Sequence, residues 1–168
     1  MAAPKKGGIS SWAINDNYVT SKEGWEVVKK YIPDKDKVVW CPFYHKGELG
    51  DLFDYKNKIH LDKDFYTYQP DSWDLIIDNP PYDKKDKVIK RCIELGKPFA
   101  LLLPLLTLER QYYKNLVVDN PNINATVVIP KKRIKFIKEG QSAGSNPCVT
   151  GWFLFNILPD NNKIIFET

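Results

Sequence analysis

The chain has 168 residues, 43% of them apolar and 27% charged, enough for one domain with its own core and too few for two full ones. A net charge of +4 and a pI near 8.8 fit a polyanionic partner without requiring one. Three scattered cysteines without a Cys-x-x-Cys pair, only two histidines, no apolar run of membrane-spanning length and no signal-peptide pattern exclude a structural metal and a membrane span; they lead us to expect a cytoplasmic protein in a reducing compartment.

Residues 1–15, rich in Lys, Gly, Ser and Pro, read as a flexible arm, and residues 16–168 as a single domain. Thr20 or Ser21 is placed to cap a helix in which Glu23 falls in the first turn and Trp25, Val28 and Tyr31 recur at helical spacing, with Pro33 closing it. "KVVWCPF" is a short β-branched and aromatic run, expected as a buried strand. "GELGDLFDY" predicts a short helix with Leu49, Leu52 and Phe53 on one side, and "KIHLDKDFYTY" contains a second strand. "WDLIID" is apolar without interruption, the pattern of a parallel strand covered on both faces. "KKDKVIKRCIELG" is an amphipathic helix with Val88, Ile89, Cys92, Ile93 and Leu95 inward and Gly96 as its C-cap. A fourth strand in "PFALLLPLLTL", a weaker helix in "ERQYYKNLVV" and two late strands in "ATVVIPKKRIKFI" and "VTGWFLFNIL" follow. Alternating strands and helices ending in two strands predict a three-layer α/β sandwich, its sheet mostly parallel with an antiparallel hairpin at one edge.

The third strand runs into Asp78-Asn79-Pro80-Pro81-Tyr82. Two prolines remove two backbone donors and stop both helix and sheet, so the chain makes a stiff corner between an amide and an aromatic ring. In open α/β sheets ligands gather at the carboxyl ends of the strands. Here those ends offer Trp40 to Phe43, Asp62 to Phe65 and Asp78 to Tyr82, with no catalytic triad, no paired His ligands and no phosphate loop. A neutral exocyclic amine has its lone pair delocalised into its ring, so a site that makes it attack carbon needs acceptors for its hydrogens. The Asn79 side-chain oxygen and the Pro80 carbonyl can accept them, and Tyr82 can stack on the ring.

"DNPPY" after an apolar strand resembles the catalytic motif of the S-adenosylmethionine-dependent N6-adenine methyltransferases, in particular the small phage-type DNA enzymes. "DNYVTSKEGWEVVKKYI" is similar to their N-terminal cofactor-contacting segment, "WCPFYHKGELG" stands where they carry a glycine loop, and "DKDFY" resembles their cofactor-adenine grip. "KPFALLLPLLTL" and "IPKKRIKFIKEG" with "NPCVTGWFLF" resemble their later strands, so the likeness covers nearly all of residues 16–156. It implies a Rossmann-like, class I methyltransferase fold binding S-adenosylmethionine. Tyr18 and Thr20 would hold the methionine end, Trp40, Pro42 and Phe43 would form the loop beneath, and Asp64 with Phe65 would take the adenine. Asp62 is an alternative contact to the cofactor ribose. Asn79 and Pro80, followed by Pro81, would bind the target amine and Tyr82 would stack on the base, which an enzyme acting on duplex DNA must flip out.

Two departures from that pattern stand in the sequence: no glycine precedes Gly47 in the loop after Trp40, and Thr20 is followed by Ser21 where the family has proline. A large target-recognition insert is also missing, so specificity is short or relaxed, or comes from a second subunit, a homodimer partner included. Lys131, Lys132, Arg133 and Lys135, with Lys84 and Lys85 after the motif, suit nucleic-acid phosphates or a merely solvated face. The 140–147 segment reads as a lid or as a hairpin connection. Methyl transfer to adenine in DNA is the leading expectation. RNA, a protein glutamine, and a nucleic-acid-binding subunit without catalysis are the alternatives.

Overall fold

Hydrophobic alternation on β-strands builds two cores, one on each side of a central sheet. The structure is a computed structural model that describes residues 18–32, 34–47, 49–138, 144–145, 148–159 and 162–168. The predicted arm at 1–15 and Pro33 lie outside the described residues. Strands β2 (Val39–Trp40), β3 (Lys58–Ile59), β4 (Leu75–Asp78), β5 (Phe99–Pro104), β6 (Ala125–Ile129), β9 (Thr150–Phe155) and β10 (Lys163–Phe166) form a seven-stranded sheet in the order β10-β6-β9-β5-β4-β2-β3. Along β5, Ala100 and Leu102 face one core while Phe99, Leu101 and Leu103 face the other. Helix α1 (Lys22–Lys29) covers the first face through Trp25, Val27 and Val28. Helices α2 (Lys85–Glu94) and α3 (Gln111–Asp119) cover the second through Val88, Ile89, Cys92 and Tyr113, which gives three layers. Ser21 takes the N-cap position of α1 without a side-chain cap bond, and Gly96, at φ 70°, closes α2 as expected.

The antiparallel element differs from the expected edge hairpin. β9 lies inside the sheet, antiparallel to β5 on one side and to β6 on the other. Its residues Thr150 to Phe155 are buried at every position, which an interior strand covered on both faces requires. The edge belongs to β10, unforeseen in the sequence, which runs parallel to β6 and alternates half-buried with exposed residues. Pro130 ends β6, having no N–H to give a ladder, and the basic segment after it leaves the sheet. That segment becomes β7 (Lys135–Lys138), which pairs with β1 (Tyr18–Thr20) and β8 (Gly144–Ser145) in a separate three-stranded antiparallel sheet. Ile134 and Phe136 join the core beneath α1. Of the expected helix at 47–55, residues 49–53 form a turn, in which the N–H groups of Leu52 and Phe53 both donate to the Leu49 carbonyl.

Trp152 on β9 ties the α1 face together. Its ring lies 5.3 Å from that of Trp25, and its indole N–H donates to the Gly24 carbonyl at 2.9 Å. Beside it, Gly151 has no space for a side chain. A Cβ there would stand 2.8 Å from Leu105 Cδ2 and 2.9 Å from the Val128 carbonyl oxygen, which is backbone. Gly151→Ala is expected to lower stability by about 1–3 kcal/mol, as overpacked cores do, read as a lower denaturation midpoint at unchanged slope. A midpoint equal to wild type would contradict this packing.

Candidate active site

From β2 the chain passes outward to β3, then returns to β4 on the other side of β2. The connections leaving β2 and β4 therefore diverge, and a crevice opens at the carboxyl ends of the two neighbouring strands. Asp78, the last residue of β4, joins the two ends. Its Oδ2 accepts the Phe43 N–H at 2.7 Å and its Oδ1 accepts the Asn79 N–H at 2.8 Å. The side chain is 1% exposed with no cation against it, and burial pushes its pKa up to about 8 despite the two donors. Burial favours its protonated form, and the two N–H donors oppose that shift.

The corner beyond it is built of acceptors. Asn79 is buried, and its carbonyl oxygen lies 3.1 Å from His45 Nε2. Its side-chain Oδ1 is also buried and has no hydrogen-bond donor among the described residues. Such an oxygen costs about 1–3 kcal/mol and is rare in folded proteins. Pro80 is buried and has no N–H, so no backbone donor from that position competes for the carbonyls nearby. Pro81 and Tyr82 are half-buried; Tyr82 opens a 3-10 turn through Lys84 that leads into α2.

The loop after β2 faces this corner. His60, just past β3, places Nδ1 2.9 Å from the Cys41 carbonyl and Nε2 3.1 Å from the Tyr44 carbonyl, with its ring 5.0 Å from that of Tyr44. Burial holds its pKa below the ordinary value. His45, Lys46 and Gly47 then run at φ 40°, 57° and 77°, a left-handed turn that costs about 1–2 kcal/mol at each non-glycine. Backbone curvature that a glycine loop would adopt freely is fixed here by Asp78 and His60, and it sets the His45 ring on Asn79.

Between this loop and the one after β3 lies a cleft of about 530 Å³, lined by residues 42–46, 62–66 and Lys84. That volume is in the range of small-molecule and cofactor sites. The Phe43 and Phe65 rings meet at 5.2 Å on its apolar side. No family model and no curated protein matches this chain. The geometry of the site therefore carries the functional reading.

The cleft brings together Pro42, Phe43, Asp62, Asp64 and Phe65 from the residues singled out for a cofactor. Asp64 Oδ1 also accepts the Tyr66 N–H at 2.7 Å, so part of that carboxylate serves its own turn; Asp62 is exposed. Trp40 is instead a core residue of β2, 2% exposed, with its ring 5.4 Å from Trp73 and 5.7 Å from Phe65. Tyr18 and Thr20 lie on β1 in the small sheet; Thr20 is buried there and does not line the cleft, and its Oγ1 has no hydrogen-bond partner among the described residues.

Among the basic residues, Lys84 lines the cleft, whereas Lys85 is half-buried and donates to the Tyr82 carbonyl at 3.0 Å. Lys131, Lys132 and Arg133 are exposed between β6 and β7, and Lys135 is exposed on β7. Burial raises the pKa of the Cys148 thiol at the entry to β9, and the charges of Lys85 and Arg133 oppose that shift. Most of the 140–147 segment read as a lid lies outside the described residues. The sequence places Asp78 in the corner but assigns no role to its carboxyl, nor to His45 or His60. Only for Asp78 was a signal present, an acidic residue closing an otherwise apolar strand.

Proposed function

We infer that this protein is a class I, Rossmann-like methyltransferase that moves a methyl group from S-adenosylmethionine to the N6 amine of adenine, in DNA. The observation that carries the reading is the buried, donorless Asn79 oxygen beside the N–H-free Pro80, at the switch-point crevice and next to a cleft of cofactor size. An amine with two hydrogens is the complement of such a corner. Asn79 Oδ1 and the Pro80 carbonyl accept those hydrogens, which holds the amine's lone pair toward the cleft, and Tyr82 offers its ring to the base. In the transfer the nitrogen would bond to the methyl carbon as that carbon's bond to the cofactor's sulfonium sulfur breaks; the cofactor would leave as a neutral thioether, and the nitrogen would give a proton to water and end as a secondary amine.

Pro42, Phe43 and Phe65 supply apolar surface for a planar cofactor base, and Asp62 and Asp64 supply acceptors for its amine and ribose hydroxyls. Bound S-adenosylmethionine supplies an electrophilic methyl carbon. A polyanionic substrate agrees with the net charge of +4 and with Lys84, Lys131, Lys132 and Arg133 on the exposed surface.

The test is methyl transfer from labelled S-adenosylmethionine, with duplex DNA, single-stranded DNA and RNA offered in parallel and the products identified as nucleosides by mass. N6-methyladenine from DNA is the expected product. The same product from RNA alone would correct the substrate, and no methylated nucleoside from any pool would overturn the reading. One observation favours a second reading, a nucleic-acid-binding subunit without catalysis: Thr20, implied for the methionine end, is buried on β1 and does not line the cleft. Calorimetry with S-adenosylmethionine separates the two, since the subunit would give no binding heat.

Replacing Lys131, Lys132 and Arg133 together by glutamine is expected to weaken nucleic-acid binding alike for all sequences. The slope of log affinity against log salt should shrink by about 1 for each phosphate contact removed. An unchanged slope would make the segment a solvated face.

A further inference from the structure

We propose that β10 is a self-pairing edge, through which two copies of this chain join their seven-stranded sheets antiparallel about a two-fold axis. Among the described residues nothing pairs with the outer side of β10. The Glu167 N–H donates to the Ile129 carbonyl at 2.9 Å, so Lys163, Ile165 and Glu167 turn their backbone groups toward β6. By the two-residue period of a strand, Ile164 and Phe166 turn their N–H and C=O groups outward. Edge strands normally carry charge, proline or a bulge at such places. Here the two outward residues are apolar and 50% and 72% exposed. On the face to which they point, α3 presents Val118, 78% exposed.

The order Lys163-Ile164-Ile165-Phe166-Glu167 is complementary to its own reverse. An antiparallel pair of β10 strands centred on Ile165 sets each Ile164 opposite the other copy's Phe166 and each Lys163 opposite the other copy's Glu167. In that register the outward N–H and C=O groups of Ile164 and Phe166 face one another and form two closely spaced hydrogen-bonded pairs. Sliding by two residues in either direction loses the charge pairing and opposes apolar residues to polar ones. A second copy of the chain is thus the partner that satisfies the outward backbone groups and covers the apolar residues together, as an isologous contact requires, and its Lys163 joins the Glu167 carboxylate that already accepts Lys30 within the chain. β10 runs in the same direction as β4, so the two crevices open at opposite margins of the joined sheet. Each site stays accessible and works alone.

Sedimentation of the full chain across the micromolar range tests this, with circular dichroism to confirm folding. Wild type is expected to sediment as a species of twice the 19.5 kDa chain mass. Phe166→Pro removes an outward donor without touching the ladder to β6, and should give monomer. Lys163→Glu and Glu167→Lys should each weaken association by about tenfold or more, because each sets like charges opposite twice. Mixing those two variants restores opposite charges at both positions and should restore the dimer. A monomeric wild type would overturn the proposal, as would a dimer indifferent to these changes or failure of the mixed variants to associate.

Discussion

Asn79→Ala is expected to cut methyl transfer by orders of magnitude while leaving the protein close to wild type in stability or above it. The side-chain oxygen has no donor in the folded protein, so deleting it breaks no native hydrogen bond. The backbone links of Asn79, to the Asp78 carboxyl and to the His45 ring, do not depend on its side chain. Removing an orphaned buried acceptor relieves a desolvation cost of about 1–3 kcal/mol, set against a small loss of packing. Stability should therefore stay within about 1 kcal/mol of wild type or rise, the signature of a residue kept for function at the expense of the fold. Catalysis should fall by about 10²–10³-fold or more, the usual cost of deleting one preoriented partner of a reacting group. The fall should appear in single-turnover rate more than in cofactor affinity. Asn79→Asp retains an oxygen in the same place but adds a charge beside the buried Asp78, so it should recover little activity. Near-wild-type turnover by Asn79→Ala would remove the central support for the proposed chemistry. Strong destabilisation would instead make the amide a structural prop.

The parts of this site that the sequence makes legible are those written in contiguous residues. β4 shows itself by unbroken apolar character, α2 by its spacing and its Gly96 stop, and the corner by two prolines. Pro42, Phe43, Asp62, Asp64 and Phe65 meet at the cleft because strand ends in a parallel sheet share one margin. What escapes the sequence is pairing across long separations. The apolar run of β9 reads the same whether it closes an edge or inserts between β5 and β6. Only full burial at every position distinguishes the two. β10 is four residues with no flanking motif, and its alternation becomes visible only against β6. His60 reaches the Tyr44 carbonyl 16 residues away and Asp78 the Phe43 N–H 35 residues away, which no local pattern encodes. Trp40 stands where the family likeness asks for a loop residue, yet its size and the β2 pleat turn it into the core.

Asp78 should govern both the stability of the crevice and its response to pH. Asp78→Ala orphans the N–H groups of Phe43 and Asn79 at once, at about 1–3 kcal/mol each, and frees the cleft loop from β4. Asp78→Asn is milder, since one oxygen still accepts while the new NH2 group opposes a donor. The folded pKa, about 8, lies above the value near 3.9 of an unfolded chain, so the folded state holds this proton more tightly. The corresponding stability is complete below about pH 4 and is lost as pH rises through 8, by at most about 1.4 kcal/mol per pH unit. The excess stability of wild type over Asp78→Asn, read from urea denaturation at a series of pH values, should therefore shrink steadily from pH 5 to pH 8 and then level off. A difference that is flat across that range would mean that the carboxyl titrates normally and that the two N–H donors outweigh burial. In that case the clamp holds its loop as a carboxylate, and the crevice near neutral pH contains a negative charge 2.8 Å from the Asn79 backbone nitrogen, a different electrostatic setting for any amine bound there.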